Sequence, residues 1–239
     1  MSTQTIRDNQ ALLEFWDQAF FIPETEKEVA RQEGAGSWEA LAPSEKLLRA
    51  ACMLGSRKKV LDYGCGNGWA SIAAAKSGCP DVTAADPAPH ASEAAGFLAD
   101  LFGVTEQVHS ICSDSEWLKA VPAGTYDGLI CSNVLDVIPP ETAEEVLRGM
   151  VRVVTSNSEI VVGLNYYISP ESAAEKGLLL TDDCLLYQDG VLRMVSRTDE
   201  EWAALFAPFF TVESLVHFAW PGENEEKRRL FRLRKGQTA

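Results

Sequence analysis

Seven residues, Asp62-Tyr63-Gly64-Cys65-Gly66-Asn67-Gly68, constrain what this chain can fold into more than any others. They follow the short apolar run Lys59–Tyr63 and precede Trp69–Ser77, a small-residue segment stopped by Gly78. The first run reads as a buried strand and the second as a helix. Glycines at alternate positions permit positive φ and close approach of a ligand to the backbone. Free amides at the start of the following helix can hold an anion. Such a turn belongs to an open α/β sheet, whose ligands bind outside the carboxyl ends of the strands, where strand order reverses.

Two neighbours narrow the ligand. A dinucleotide fingerprint, G-x-G-x-x-G, wants glycine at position 69, where this chain has Trp69. An indole fills the space that the third glycine would leave for close helix packing. Asp62 ends the strand with a carboxylate, which suits a cation and repels a pyrophosphate. An amino-acid ammonium beside a sulfonium fits better.

The rest of the chain alternates as an α/β sheet requires. Helices are expected over residues 10–53, broken at Gly34-Ala35-Gly36-Ser37, with Ser44 or the residue before it capping Pro43–Leu54. Val82–Asp86, Gln107–Cys112, Tyr126–Ser132 and Glu159–Leu164 read as strands, with helices over Pro89–Phe102 and Pro140–Val154. Beyond them, Asp189-Gly190 marks a hairpin within Asp183–Ser196. Thr198 caps a helix ending at Phe206, and Phe209–Phe218 and Lys227–Arg234 supply two last strands. Basic residues alternate with Leu230, Phe231 and Leu233 in the second of these, which reads as the solvent side of an edge strand.

Three strand ends add chemistry to the glycine turn. Asp86, 18 residues beyond Gly68, can accept both hydrogen bonds of a ribose diol, and Pro87 offers an adenine a flat apolar face. Ser113 and Asp114 follow the third strand, where a carboxylate can accept from an adenine amino group; turn-forming is the alternative role. Ser132 and Asn133 follow the fourth, where a backbone carbonyl can hold an ammonium group.

With these residues in place, Val60–Trp69, Val82–Asp86 and Tyr126–Leu135 together resemble the motif set of class I S-adenosylmethionine-dependent methyltransferases, over roughly residues 55–165. The resemblance implies a Rossmann-like seven-stranded sheet in the order 3-2-1-4-5-7-6, last strand antiparallel, with helices on both faces. It divides the chain into an amino-terminal helical cap, 1–54, and a methyltransferase domain, 55–239, with a hairpin insert at 165–197. It implies that Asp62, Gly64, Gly66 and Ser132 contact the methionine end of S-adenosylmethionine. Asn67 and Gly68 belong to the same turn, Asp86 would hold the ribose and Asp114 the adenine. Trp69 and Pro87 would form apolar walls. The implied reaction is in-line transfer of methyl to an acceptor, releasing S-adenosylhomocysteine, which rests on alignment and exclusion of water.

A general base is needed only if the acceptor carries a proton. The candidates are His217, near the end of the sixth sheet strand, and Asp136; Tyr166, with Tyr167, leaves the fifth strand as a pocket wall. Each has a structural alternative, as half-buried packing or a surface side chain. Trp16 and Trp38 are assigned to helix packing, with closure over the cofactor as the alternative.

The net charge of −14 disfavours nucleic acid and favours a small organic acceptor. Three scattered histidines leave no histidine-based metal site, and no apolar run reaches the length of a membrane span. A polar start and six cysteines without a Cys-x-x-Cys pair point to a cytoplasmic protein with reduced thiols. The competing readings are a non-catalytic nucleoside-binding protein on the same fold, a nicotinamide-dependent oxidoreductase, and a thiol-dependent metalloid methyltransferase using Cys184.

Overall fold

A computed structural model describes residues 1–34 and 36–236. The amino-terminal part holds α1 (Thr3–Ala19), α2 (Glu24–Glu33) and α3 (Glu45–Met53). Ser44 caps α3 by accepting from the Leu47 amide. Of the break expected at 34–37, Ala35 lies outside the described residues; Gly34, at φ +81°, ends α2.

The alternating region follows as β1 (Val60–Tyr63), α4 (Trp69–Lys76), β2 (Val82–Asp86), α5 (Pro89–Leu101), β3 (Val108–Cys112), α6 (Ser115–Ala120), β4 (Tyr126–Ser132), α7 (Pro140–Val153) and β5 (Val154–Leu164). Next come α8 (Pro170–Glu175), β6 (Leu179–Leu180), β7 (Leu185–Gln188) and β8 (Val191–Val195), then α9 (Asp199–Phe206), β9 (Phe210–Phe218) and β10 (Arg228–Lys235).

The main sheet runs β3-β2-β1-β4-β5-β10-β9, with β10 antiparallel to both of its neighbours. This is the expected 3-2-1-4-5-7-6 order. Side chains alternate across it with the two-residue period of a strand. Leu61, Leu129, Ile160 and Val162 enter one core with α7 and α9. Val60, Ile130 and Val161 enter the other with α3 and α4. Six of the eight α4 residues are buried, and its alanines let it lie close to the sheet. Strand order reverses between β1 and β4, so the turn after β1 opens at the switch point.

Three expectations need correction. The basic strand β10 is internal, because β9 takes the edge; Arg228 and Arg229 are buried and paired with Glu223 and Asp199 rather than facing water. Residues 115–120 form a helix that the turn-like Ser-Asp-Ser concealed. The insert holds α8 and a third strand as well as the hairpin; β6-β7-β8 make a small antiparallel sheet, with Asp189 and Gly190 both at positive φ as a tight hairpin turn demands. Cys112 is exposed, while Cys65, Cys79 and Cys131 are buried, and all six thiols are free.

Candidate cofactor site

The glycine turn is built from bonds that only this backbone can make. Gly64, Gly66 and Gly68 have φ of +70°, +53° and +78°. The amides of Gly64 and Cys65 both donate to the Ala85 carbonyl, at 2.7 and 3.1 Å, tying the turn to β2. Gly68 begins α4 in the left-handed conformation, and Asn67 Oδ1 accepts from the Trp69 amide at 3.3 Å. The glycines also answer to protein neighbours. A Cβ on Gly64 would meet Val134 Cγ2 at 2.2 Å, one on Gly68 would meet Ala95 at 2.9 Å, and one on Gly66 would meet the Phe20 ring at 2.7 Å. Trp69 is half-buried and packs against the α3–α4 core.

Asp86 knits the turn to β2. Its Oδ2 accepts from the Gly66 amide and its Oδ1 from the Ala88 amide, both at 2.9 Å. Each oxygen keeps acceptor capacity beyond those bonds. Burial pushes the carboxyl up, the two amides pull it down, and nearby Asp17 raises it again. Pro87 is exposed beside it. Ser113 donates its amide to the Asp86 carbonyl at 2.7 Å, and its buried hydroxyl has no partner. Asp114 caps α6 by accepting from the Glu116 amide. The Asp86 carboxylate, the orphaned Ser113 hydroxyl and the glycine turn therefore share one end of the sheet, with polar capacity left over for a nucleoside.

Asp62 points elsewhere. Its Oδ2 accepts from the Ser71 amide at 3.0 Å and the Ser71 hydroxyl at 2.7 Å, so it fastens α4 to β1. Burial pushes its carboxyl up to about 7, against the pull of the Ser71 bonds, with a further push from Asp86. A folded-state value above the unfolded one means that its favourable contribution is complete below about pH 4 and is lost as pH rises through 7. Asp62→Asn keeps an oxygen for Ser71 and cannot ionise. It is expected to stabilise the ligand-free protein at pH 8 by up to about 4 kcal/mol and to change little at pH 4, read by thermal melts. An equal shift at both pH values would remove charge as the cause.

At the next strand end, Ser132 Oγ donates to Asn133 Oδ1 at 3.2 Å. Asn133, at φ +57°, donates its amide to Gly163 and its Nδ2 to Asn165 Oδ1 at 3.0 Å. Arg228 donates to that same Asn165 oxygen. Asp136 is 1 % exposed; its Oδ2 accepts from the Asn165 amide at 2.6 Å, its carbonyl accepts from Val195, and its Oδ1 is buried without a partner. Burial raises its carboxyl to about 6.

His217 is not part of that cluster. Its row in the sheet passes through Arg229 and Leu164, beside the Gly163–Ser132 pair, so about 14 Å of strand spacing separates it from Ser132. There Nε2 meets Asp199 Oδ2 at 2.9 Å, and Asp199 Oδ1 accepts from Arg229 Nε at 2.5 Å. Tyr166, Tyr167, Thr198, Glu200 and His217 line a groove of about 440 Å³. Asp199 was legible only as an acidic residue at a helix start; its pairing needs β9 and α9 brought together. Phe20 and Asp17 were missed too, because nothing in α1 says which loop its end will reach.

The sheet order, the glycine turn at the switch point and the carboxylate ending β2 define a class I methyltransferase fold. Comparison with known proteins names the segment. Residues 60–157 match the profile of a family described as a methyltransferase domain. Over 94 residues the chain is 42 % identical to a ribosomal protein L11 methyltransferase of Dechloromonas aromatica (strain RCB), a stretch that spans 38 % of this chain and 29 % of that protein. Among solved structures it resembles a 1,6-didemethyltoxoflavin-N1-methyltransferase of Burkholderia thailandensis with bound 1,6-didemethyltoxoflavin and S-adenosylhomocysteine, with TM-score 0.60 and 19 % identity over 81 % of this chain and 80 % of that one. It also resembles the N-methyltransferase NodS of Bradyrhizobium japonicum WM9, with TM-score 0.57 and 18 % identity over 80 % and 85 % of the two chains. The family match therefore runs from β1 into β5, the segment that holds the glycine turn and Asp86. Among the described residues no group of three or more His, Cys, Asp or Glu side chains could hold a metal, and no helix is long and apolar enough to cross a membrane.

Proposed function

We propose that this protein transfers the methyl group of S-adenosylmethionine to a small-molecule acceptor and releases S-adenosylhomocysteine. One observation carries the reading: a left-handed glycine turn at the switch point whose middle amide is held by the buried, still unsaturated carboxylate of Asp86. Bound S-adenosylmethionine supplies a methyl already activated on a sulfonium. The protein's own part is to bind, align and keep water out. Asp86 holds the ribose diol, with Pro87 beside the adenine. The Ser113 hydroxyl and the Asp114 segment take the polar edge of the base. The backbone of Gly64 to Gly68 and the Ser132 carbonyl face the methionine end. Asp62, Asn67 and Trp69 hold the turn and α4 in place from behind.

The acceptor lies over the carboxyl ends of β4 and β5, towards the groove of Tyr166 and His217. Asp136, closed off from solvent, acts as a brace that joins the β4 turn to Asn165 and to the insert. His217, backed by Asp199, is the proton acceptor available to a ligand in the groove. Its distance from Ser132 fits an elongated acceptor rather than a base at the transferring methyl. A protein acceptor is the second reading, because the 42 % identical relative is a ribosomal protein L11 methyltransferase. That likeness spans 38 % of this chain and 29 % of that protein. The free thiols suit a cytoplasmic location.

Calorimetric titration tests the cofactor. S-adenosylhomocysteine is expected to bind and NADH not to; binding of NADH alone would overturn the assignment.

A further inference from the structure

The amino-terminal helix is attached in an unusual way. Only Thr5, Asp8 and Leu12 of its 17 residues are buried, so α1 contributes little to either core. It is held instead by side-chain contacts to four separate parts of the fold. Near its start, Ser2 donates its amide to Glu141 and Asn9 donates to Thr142 Oγ1, both at 2.9 Å, at the head of α7. In its middle, Asp8 accepts from the Tyr187 hydroxyl at 2.9 Å, and the Arg193 guanidinium lies 4.0 Å from the centre of the Phe15 ring. Both partners belong to the small β6–β8 sheet. At its end, Asp17 accepts from the His90 amide at 2.8 Å and meets the His90 ring, at the start of α5. Phe20 then lies on Gly66, close enough that a Cβ there would meet Phe20 Cζ at 2.7 Å. Trp16 stacks on Phe20, and Phe21 packs edge-on against His90.

These contacts place one rigid rod, about 25 Å long at 1.5 Å per residue, between the insert and the glycine turn. Its far end covers the one glycine of the turn whose amide is held by Asp86. A ligand lying along Gly66 and Asp86 would lie against Phe20. An element with few buried apolar contacts is also the kind that opens locally at small cost. We propose that α1 is a strap closing the cofactor cleft, with Phe20 as its latch on Gly66, and that the β6–β8 sheet holds the strap shut through Tyr187 and Arg193. The insert, on the acceptor side, thereby sets how fast S-adenosylhomocysteine leaves. The inference rests on the methyl-transfer reading and adds a coupling between the two sides of the site.

Stopped-flow displacement of preloaded S-adenosylhomocysteine by excess S-adenosylmethionine analogue, followed by tryptophan fluorescence, measures that release. Tyr187→Phe removes one oxygen from the insert side and is expected to raise the release rate about threefold. Combined with Arg193→Ala the rise should reach about tenfold. Phe20→Ala should release at least as fast, while Val216→Ser, exposed on the edge strand β9 of the main sheet, should match the wild type. A wild-type release rate in the Tyr187→Phe/Arg193→Ala protein, with an unchanged melt, would overturn the coupling even if Phe20→Ala were fast. Failure of wild-type protein to bind S-adenosylhomocysteine would overturn the cofactor assignment instead.

Discussion

Asp86→Ala should weaken S-adenosylhomocysteine binding by at least 100-fold and lower the melting temperature of the ligand-free protein as well. The two effects have one origin. The carboxylate accepts from the Gly66 and Ala88 amides inside a site that is 7 % exposed, so its removal strands two buried donors. Each costs about 1–3 kcal/mol. The ribose diol loses its acceptor in addition. Asp86→Asn keeps one oxygen and should fall between Ala and wild type in both calorimetry and melting. A lower melting temperature with unchanged affinity would make Asp86 a brace of the turn and nothing more, and the ribose would have to be placed elsewhere.

Gly64→Ala is expected to do the greatest damage of any single methyl group added to the turn. The new Cβ would sit 2.2 Å from Val134 Cγ2, and the residue would still have to hold φ at +70°. Overpacking costs about 1–3 kcal/mol and a left-handed non-glycine residue about 1–2 more. A loss of about 2–5 kcal/mol corresponds to roughly 10 °C in a chain of this size. Adding Val134→Ala removes the collision and leaves the backbone strain, so the double variant should melt above Gly64→Ala and below Val134→Ala. A Gly64→Ala protein that melts with the wild type would mean that the turn is not packed against the β4 loop. Gly66→Ala makes a useful contrast. Its collision is with the end of the Phe20 ring, which can swing aside with α1.

The strand ends were legible because a buried strand and a turn glycine each leave a local mark. Val60-Leu61-Asp62-Tyr63, Val82–Asp86 and Tyr126–Ser132 are apolar on both faces, and glycines punctuate the way out of β1. What each carboxylate does was less legible. Asp62 looked like the partner of a cationic ligand, and the fold turns it to Ser71, where burial pushes its carboxyl up to about 7. The same holds for the basic strand. Its alternation is that of any half-polar strand, and only the sheet order decides that Arg228 and Arg229 are interior and paired. Helix α6 leaves no mark of its own in the sequence, because Asp114 caps it with a residue type that equally makes a turn.

By itself the sequence determined the alternation of strand and helix, the glycine turn after β1 and the carboxylate that ends β2. These are consequences of local periodicity and of backbone angles that glycine alone adopts readily. Only the tertiary structure decided which neighbours those residues meet: Val134 on Gly64, Phe20 on Gly66, Asp199 behind His217, and α1 drawn between the insert and the turn. Such contacts join residues far apart in the chain. Their geometry depends on how the packed elements finally sit, and no local pattern records that.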